Sequence, residues 1–517
     1  MNNESRTTKS LKNAQVSLFY YVLQMILGFW SRKVFLDCLG VEVLGLNTTA
    51  TNLFGFLNLA ELGVGAAVLF FLYEPLNNND RQLINKNVAL QGWIYRRIAC
   101  LIIAGALILM AFFPLIFKDM NLPMWYAYAT FSVMLFSSML SYFINYKSIV
   151  LTADQKGYKV TIATRGFSIL IKVVEIIFLP IVANPFVFTL FASVASTLFG
   201  CLWLNHIIRK EYPWLKTTGY KGKELLKELP GVMKKTKQVF IHKLAAVILF
   251  QISPLIMYAF SSLTVIGCYG NYNTVMIHAI QVVEMVFASM AAGIGSLIAT
   301  KDNQRILRVF WELYDSRFCI ISITLICVFF LIHPFFVLWI GKQYIMSRLF
   351  LSLLMVQTFI RLARSTVDHY ISGYGLFQDV WAPFVEMCIN IIGAIGFGYL
   401  FGFMGVILGN ILSQLLIVYM WKPYMLFRLG LKHSPKSYFI PVIKRHLLIF
   451  VNVVGLSFLF DWLLPDAFIN YTAFLLYASL TLIIVSVLLW GEFSLFSQGM
   501  RDFNQRIYKL LARRSSK

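Results

Sequence analysis

Arg361, Arg364 and Asp368 fall at i, i+3 and i+7 within 349–373, an apolar stretch long enough to cross a bilayer. On a helix this spacing sets the three charges on one face, with Arg361 near the centre and Asp368 toward one end. Lys172 and Glu175, at i and i+3, lie in a second such stretch, 161–182. Glu61 and Glu284 sit inside two more, 46–73 and 268–299, and Arg32 with Lys33 in the outer half of 14–37. A charge at bilayer depth costs roughly 3 kcal/mol or more, so such residues usually face a protein interior or a water-filled path. One aspartate cannot neutralise both Arg361 and Arg364. The planar guanidinium fork suits phosphate, which it grips through two parallel hydrogen bonds. The cations therefore suggest an anion-binding cavity at Arg361 and Arg364, with Lys172 a second cation at bilayer depth. Two other readings stand beside it. Lys172 and Glu175 can be an internal ion pair, and Arg32 and Lys33 can snorkel outward. Glu61, Glu284, Asp368 and Glu175 either bridge helices or titrate in ion coupling.

The elements that must position these charges are membrane-spanning helices. The chain of 517 residues is 59% hydrophobic and 13% charged, about half the charge of an average soluble protein. About fourteen spans are expected, at 14–37, 46–73, 96–117, 125–150, 161–182, 186–208, 238–261, 268–299, 316–339, 349–373, 382–402, 404–428, 446–465 and 471–490. The basic residues orient them. With the N-terminus inside, all but Arg32, Lys33, Lys118, Lys172, Lys342 and Arg348 of the 45 Lys and Arg fall in inner segments. This is the positive-inside pattern, and it puts both termini in the cytoplasm. It also assigns the net charge of +22 to topology and not to nucleic acid. The count includes Arg361 and Arg364, whose depth rests on the span at 349–373. Were that helix to end near 360, they would be ordinary cytoplasmic charges. The apolar residues past them argue for the longer helix. The seven cysteines show no paired spacing and no neighbouring histidines, so they read as small core hydrophobes. No metal-ligand cluster, nucleophile motif or phosphate-binding glycine loop is present.

The chain divides into a cytoplasmic N-terminal tail (1–13), an N-lobe of six helices (14–208), a Lys-rich cytoplasmic linker (209–237), a C-lobe of helices seven to twelve (238–428), two extra helices (429–490) and a basic cytoplasmic tail (491–517). The linker is either a solvated connection or a segment that lies on anionic lipid. A faint repeat joins the halves. Val43-Leu44-Gly45 precedes Glu61 and Gly63-Val64-Gly65, and Val265-Ile266-Gly267 precedes Glu284 and Gly293-Ile294-Gly295.

Several stretches resemble the polysaccharide transporter branch of the multidrug/oligosaccharidyl-lipid/polysaccharide exporter superfamily, the O-antigen flippases. They are LGVEVLGLN (39–47), AELGVGAAV (60–68), LYEPL (72–76) with Asp80 following, ADQKGY (153–158), GCYGNYN (267–273), GYGLFQDVWAPFVEMCIN (373–390) and GFMGVILGN (402–410). Each is loose alone; their order and spacing match from about residue 14 to 428. The resemblance implies an all-α polytopic fold, two six-helix lobes around a central cavity plus two C-terminal helices, opening alternately to each side of the bacterial inner (plasma) membrane. It implies as cargo an undecaprenyl-pyrophosphate-linked oligosaccharide, with Arg361 and Arg364 on the pyrophosphate and Lys172 and Arg32 matching by helix. A polysaccharide polymerase and glycosyltransferases would then be partners beside membrane lipids. No cofactor is expected, and coupling to protons or sodium is left open. The alternatives are a drug/cation antiporter of the same superfamily, which should be rich in acids at its membrane centre, and a membrane polymerase or glycosyltransferase, which should carry a long outer loop or a soluble region.

Overall fold

In the computed structural model, the described residues are 6–515 apart from 62, 288–293, 295, 296, 299, 377, 380 and 464–469. Side chains are not described at 6–11, 14, 60, 238–239, 241–251, 286, 461–463 and 510–515. Among the described residues the chain is all-helical. It forms two compact units, Met1–Gly270 and Asn271–Lys517.

The first unit holds α1 (Arg6–Leu57), α2 (Val64–Asn77), α3 (Arg81–Ala111), α4 (Trp125–Phe143), α5 (Gly157–Phe178), α6 (Pro185–Glu211), α7 (Pro230–Ala259) and the start of α8 (Leu263–Phe287). α1 bends at Gly40, whose φ of 79° lies where a Cβ would clash. The second expected span is broken. α1 ends at Leu57, a 3-10 turn covers Asn58–Glu61, and α2 starts after Gly63 at φ 95°. The second unit continues α8 and adds α9 (Asn303–Trp339), α10 (Arg348–Tyr374), α11 (Trp381–Phe401), α12 (Phe403–Gly430), α13 (Lys436–Leu463), α14 (Tyr471–Phe496) and α15 (Gln498–Ser515). α12 carries π-helical stretches at Gln414–Trp421 and Leu426–Gly430.

Eight described helices are long and apolar enough to cross a membrane, nine if a bent pair at 125–153 is one span. Helix also occupies 14–37 and 161–178, where charged side chains dilute the hydropathy. The protein is a multi-pass membrane protein. In lipid, helices gain little from hiding apolar surface against each other, so close packing and hydrogen bonds hold them together. The family-like glycines supply the close packing. A Cβ at Gly45 would stand 1.8 Å from the carbonyl oxygen of Leu263, and one at Gly267 would stand 2.4 Å from that of Val41. Two motifs distant in sequence, at 39–47 and 267–273, are thus one helix crossing. In the second unit a Cβ at Gly405 would sit 1.8 Å from the Phe397 oxygen, so GFMGVILGN seats α12 on α11. Asn390 adds a buried hydrogen bond to Asn410 at 2.8 Å.

The segments expected as linker and tail are both structured. At 209–237, Lys86 pairs with Glu228 at 2.6 Å, and Gly222 lies so close to Trp93 that a Cβ has no room. At 491–517, α14 ends at Phe496 and α15 docks on α9. Asp315, fully buried, pairs with Arg445 at 2.6 Å and accepts from the Ser497 hydroxyl, while Arg506 pairs with Glu312 at 2.9 Å.

Candidate functional site

In the second unit, α10 runs unbroken through both arginines, with Arg361 thirteen residues from each end. At 1.5 Å per residue, this puts its Cα about 20 Å from either terminus. Arg361 is exposed and Arg364 half-buried. Arg364 donates from Nε to Asp368 Oδ2 at 2.7 Å, so the i, i+4 pair satisfies one arginine within its own helix. Glu386 on α11, buried to 8%, lies within electrostatic reach of Arg364. Glu284 on α8 engages a third arginine. It accepts from Arg317 Nη2 at 2.5 Å, and Arg317 Nε donates to the Leu362 carbonyl at 3.1 Å. Arg317 is 2% exposed at its side chain and Glu284 45%. Arg317 therefore ties α8 and α9 to the middle of α10, one residue from Arg361.

Arg317 was assigned above to an inner segment and given no site role. Its burial corrects that. The signal was the aromatic run Phe310, Trp311 and Tyr314, which extends α9 a full three turns before the expected start at 316.

In the first unit, Arg32 on α1 and Lys172 on α5 lie within electrostatic reach of each other and of Glu175. Lys172 and Glu175 make no hydrogen bond or ion pair among the described residues, so the expected internal pair is a longer-range interaction. The Arg32 guanidinium also abuts Gly270, where a Cβ would stand 3.1 Å from Nη2 and 3.2 Å from the Thr48 hydroxyl. Lys33, by contrast, points along its helix to Asp37 at 3.9 Å with both side chains well exposed.

Glu61 has a different environment. It ends the 3-10 turn inside the broken span, and each carboxylate oxygen accepts from a phenol. Tyr95 donates to Oε1 at 2.7 Å, and Tyr142 donates to Oε2 at 2.8 Å. Both tyrosines are buried and meet edge to face. In AELGVGAAV, Gly63 supplies the left-handed turn. Gly65 leaves room for the Tyr95 hydroxyl, which a Cβ would approach to 3.3 Å. The tyrosines were not foreseen, since nothing in their spacing from Glu61 marks them.

The chain has no matching family model, and no curated protein matches it. Solved structures do. The lipid II flippase MurJ, in an inward closed conformation, matches with a TM-score of 0.65 over 93% of this chain and 98% of its own, at 15% identity. An inward-facing multidrug resistance MATE family transporter of the MOP superfamily matches with 0.55 over 80% and 97%, at 12% identity. The chain has the fold of these transporters. At such identities the likeness is one of fold, and it agrees with the all-helical, multi-span fold that the motifs led one to expect.

The remaining family-like motifs are joints of this fold. In ADQKGY, Gln155 adopts φ 57°. The Asn13 side chain clasps the turn, donating to the Gln155 carbonyl at 2.8 Å and accepting from Tyr158 N at 2.6 Å. Asp154 accepts from Tyr212 at 2.8 Å and pairs with Lys156 at 2.8 Å. In GYGLFQDVWAP, Gly375 caps α10 at φ 69°, and Asp379 receives Lys422 at 2.7 Å, in the short α-helical stretch between the two π-helical parts of α12. Phe377 and Val380 of that motif, and Gly293 and Gly295 of the internal repeat, lie outside the described residues. Among the described residues no group of His, Cys, Asp and Glu could hold a metal ion, and all seven cysteines are free.

Proposed function

We propose that the protein is a flippase that moves an undecaprenyl-pyrophosphate-linked oligosaccharide repeat unit across the bacterial inner membrane for surface polysaccharide synthesis. The observation that carries this reading is a guanidinium, Arg361, exposed at the midpoint of a 27-residue helix. Cations on spanning helices commonly line paths for charged cargo, and a pyrophosphate is such a cargo. Arg364 stands one turn away, and Arg32 and Lys172 form a second cationic pair, with Glu175 within electrostatic reach of Lys172. The mechanism is rocking of two lobes about a central cavity, with fourteen spans and both termini in the cytoplasm. The cations grip the pyrophosphate and release it on the other side, and no bond is made or broken. Glu61, with both oxygens engaged by phenols, and Glu284, joined to Arg317, are the carboxylates through which protons or sodium would couple. A polymerase and glycosyltransferases would act on the same lipid-linked chain.

The test is translocation in proteoliposomes. A fluorescent polyprenyl-pyrophosphate oligosaccharide in the outer leaflet becomes protected from an external quencher as it is flipped. Protection above the spontaneous rate in protein-containing vesicles supports the reading; protection equal to that in empty vesicles refutes it. A second reading, export of a cationic drug, draws on the fold shared with a multidrug transporter and on the acids Glu284, Asp368 and Glu386. Uptake of a lipophilic cation by the same vesicles, with no lipid flipping, would favour it.

A further inference from the structure

An aromatic groove of about 310 Å³ lies on the first unit between α5 and α6, lined by Phe167, Phe199, Leu202, Trp203 and His206. Phe167 stacks on Phe199 and the His206 ring on Trp203, at 26° and 28° between planes. The groove is open. Phe199, Leu202 and Trp203 are each about half exposed, at 50%, 51% and 49%. Gly200, behind it, brings α6 within a Cβ's width of the Ala163 carbonyl, so the floor is rigid backbone. This volume is at the low end for small-molecule pockets. It admits a segment of hydrocarbon chain and not an oligosaccharide.

The same helix carries two cations just beyond the rings. Phe199, Trp203, His206 and Lys210 fall at i, i+4, i+7 and i+11, one helical face, and Arg209 flanks it in the last turn of α6. Lys210 lies about 10 Å along the axis from Trp203, the displacement from hydrocarbon to headgroup. Both cations are exposed, and among the described residues neither has an acidic partner. The adjacent carboxylate, Glu211, is already taken by Lys156 and Lys159.

We propose that this face is a binding site for one anionic glycerophospholipid of the surrounding bilayer. An acyl chain lies along Phe167, Phe199 and Trp203, and the phosphate sits between Arg209 and Lys210, with the His206 ring at the chain–headgroup junction. The groove's volume leaves no room for the oligosaccharide of the cargo lipid, and the experiment separates the two lipids. The site is independent of the cations proposed to hold the cargo.

The test is quenching of Trp203 by brominated lipid in nanodiscs, taken as the difference between the wild-type protein and Trp203→Phe. Dibrominated phosphatidylglycerol should quench at a lower mole fraction than dibrominated phosphatidylcholine, by about fivefold for each surface cation that contributes. Arg209→Gln with Lys210→Gln should abolish the difference, and the charge-preserving Arg209→Lys with Lys210→Arg should keep it. Equal quenching by the two lipids in the wild-type protein overturns the proposal, whether or not the double Gln variant folds. A preference that persists in a folded double Gln variant also overturns it, as does displacement of the brominated phospholipid by a short-chain polyprenyl pyrophosphate.

Discussion

Arg317→Met tests the link between the acid on α8 and the cationic helix. The wild-type guanidinium is 2% exposed and makes two bonds that methionine cannot: one to Glu284 at 2.5 Å and one to the Leu362 carbonyl at 3.1 Å. Both bonds come from the charged guanidinium, and a charge-assisted bond contributes about 1.5–3 kcal/mol. Glu284 is 45% exposed, so water recovers part of its solvation once it is left alone, and the low end of that range applies to each bond. The loss comes to about 3 kcal/mol, near the lower end for breaking a buried pair, or roughly a 150-fold shift in the folding equilibrium. Glu284→Gln should cost less, about 1 kcal/mol, because the amide oxygen still accepts and Asp368 still acts on Arg317. In the double variant neither charge remains, so it should be more stable than the two single losses predict by about 1 kcal/mol or more. The assay is unfolding in mixed micelles titrated with a denaturing detergent, run on all four proteins. Additive losses, or a larger loss for Glu284→Gln than for Arg317→Met, would refute the pairing as the source of the stability.

Tyr95→Phe and Tyr142→Phe each remove one donor from Glu61, and each should destabilise by about 1.5–3 kcal/mol in the same assay; losses below about 0.5 kcal/mol would show that water replaces the phenols. Glu61→Gln should flatten the pH dependence of translocation if Glu61 titrates during the cycle, and an unchanged profile removes it from coupling. Gly45→Ala places a methyl where the Leu263 carbonyl now lies 1.8 Å away, so it should cost at least the 1–3 kcal/mol typical of overpacking, read as lost folded yield; normal yield would mean the two helices separate easily. Asn13→Ala loses both bonds of the clasp at 155–158 and should cost about 1–2 kcal/mol, checked by detergent unfolding, with no effect contradicting the clasp.

The fold was legible because bilayer thickness writes itself into the chain. The stretch 349–373 became α10 at Arg348–Tyr374, and the expected spans at 382–402 and 471–490 appear as α11 and α14 within a few residues. The second span was harder to read, since hydropathy runs straight through a 3-10 turn and a left-handed glycine that do not interrupt its apolar composition. That charged residues fall inside the helices was legible for Arg361, Arg364 and Lys172, though not for Arg317. Whom each charge meets was not legible. Asp368 could be matched to Arg364 because i, i+4 is local. Glu284 and Arg317 are 33 residues apart, and Glu61 lies 34 and 81 residues from its two tyrosines; only the packing of helices decides such pairs. The motifs at 39–47, 267–273 and 402–410 marked a family, yet their glycines act as contact points between helices. A resemblance built on them speaks to fold more than to cargo, and the buried and exposed charges carry the rest.

The central claim is that cations on the spanning helices hold a pyrophosphate. Its most direct test is equilibrium binding of a short-chain polyprenyl pyrophosphate to the purified protein, with Arg361→Ala, Arg364→Ala and Arg361→Lys beside wild type. Each Ala variant should lose one or two charge-assisted bonds, about 2–3 kcal/mol or roughly 30–150-fold in Kd. Arg361→Lys should recover only part of this, because an ammonium cannot form the bidentate fork. Affinities within twofold of wild type in both Ala variants would contradict the account.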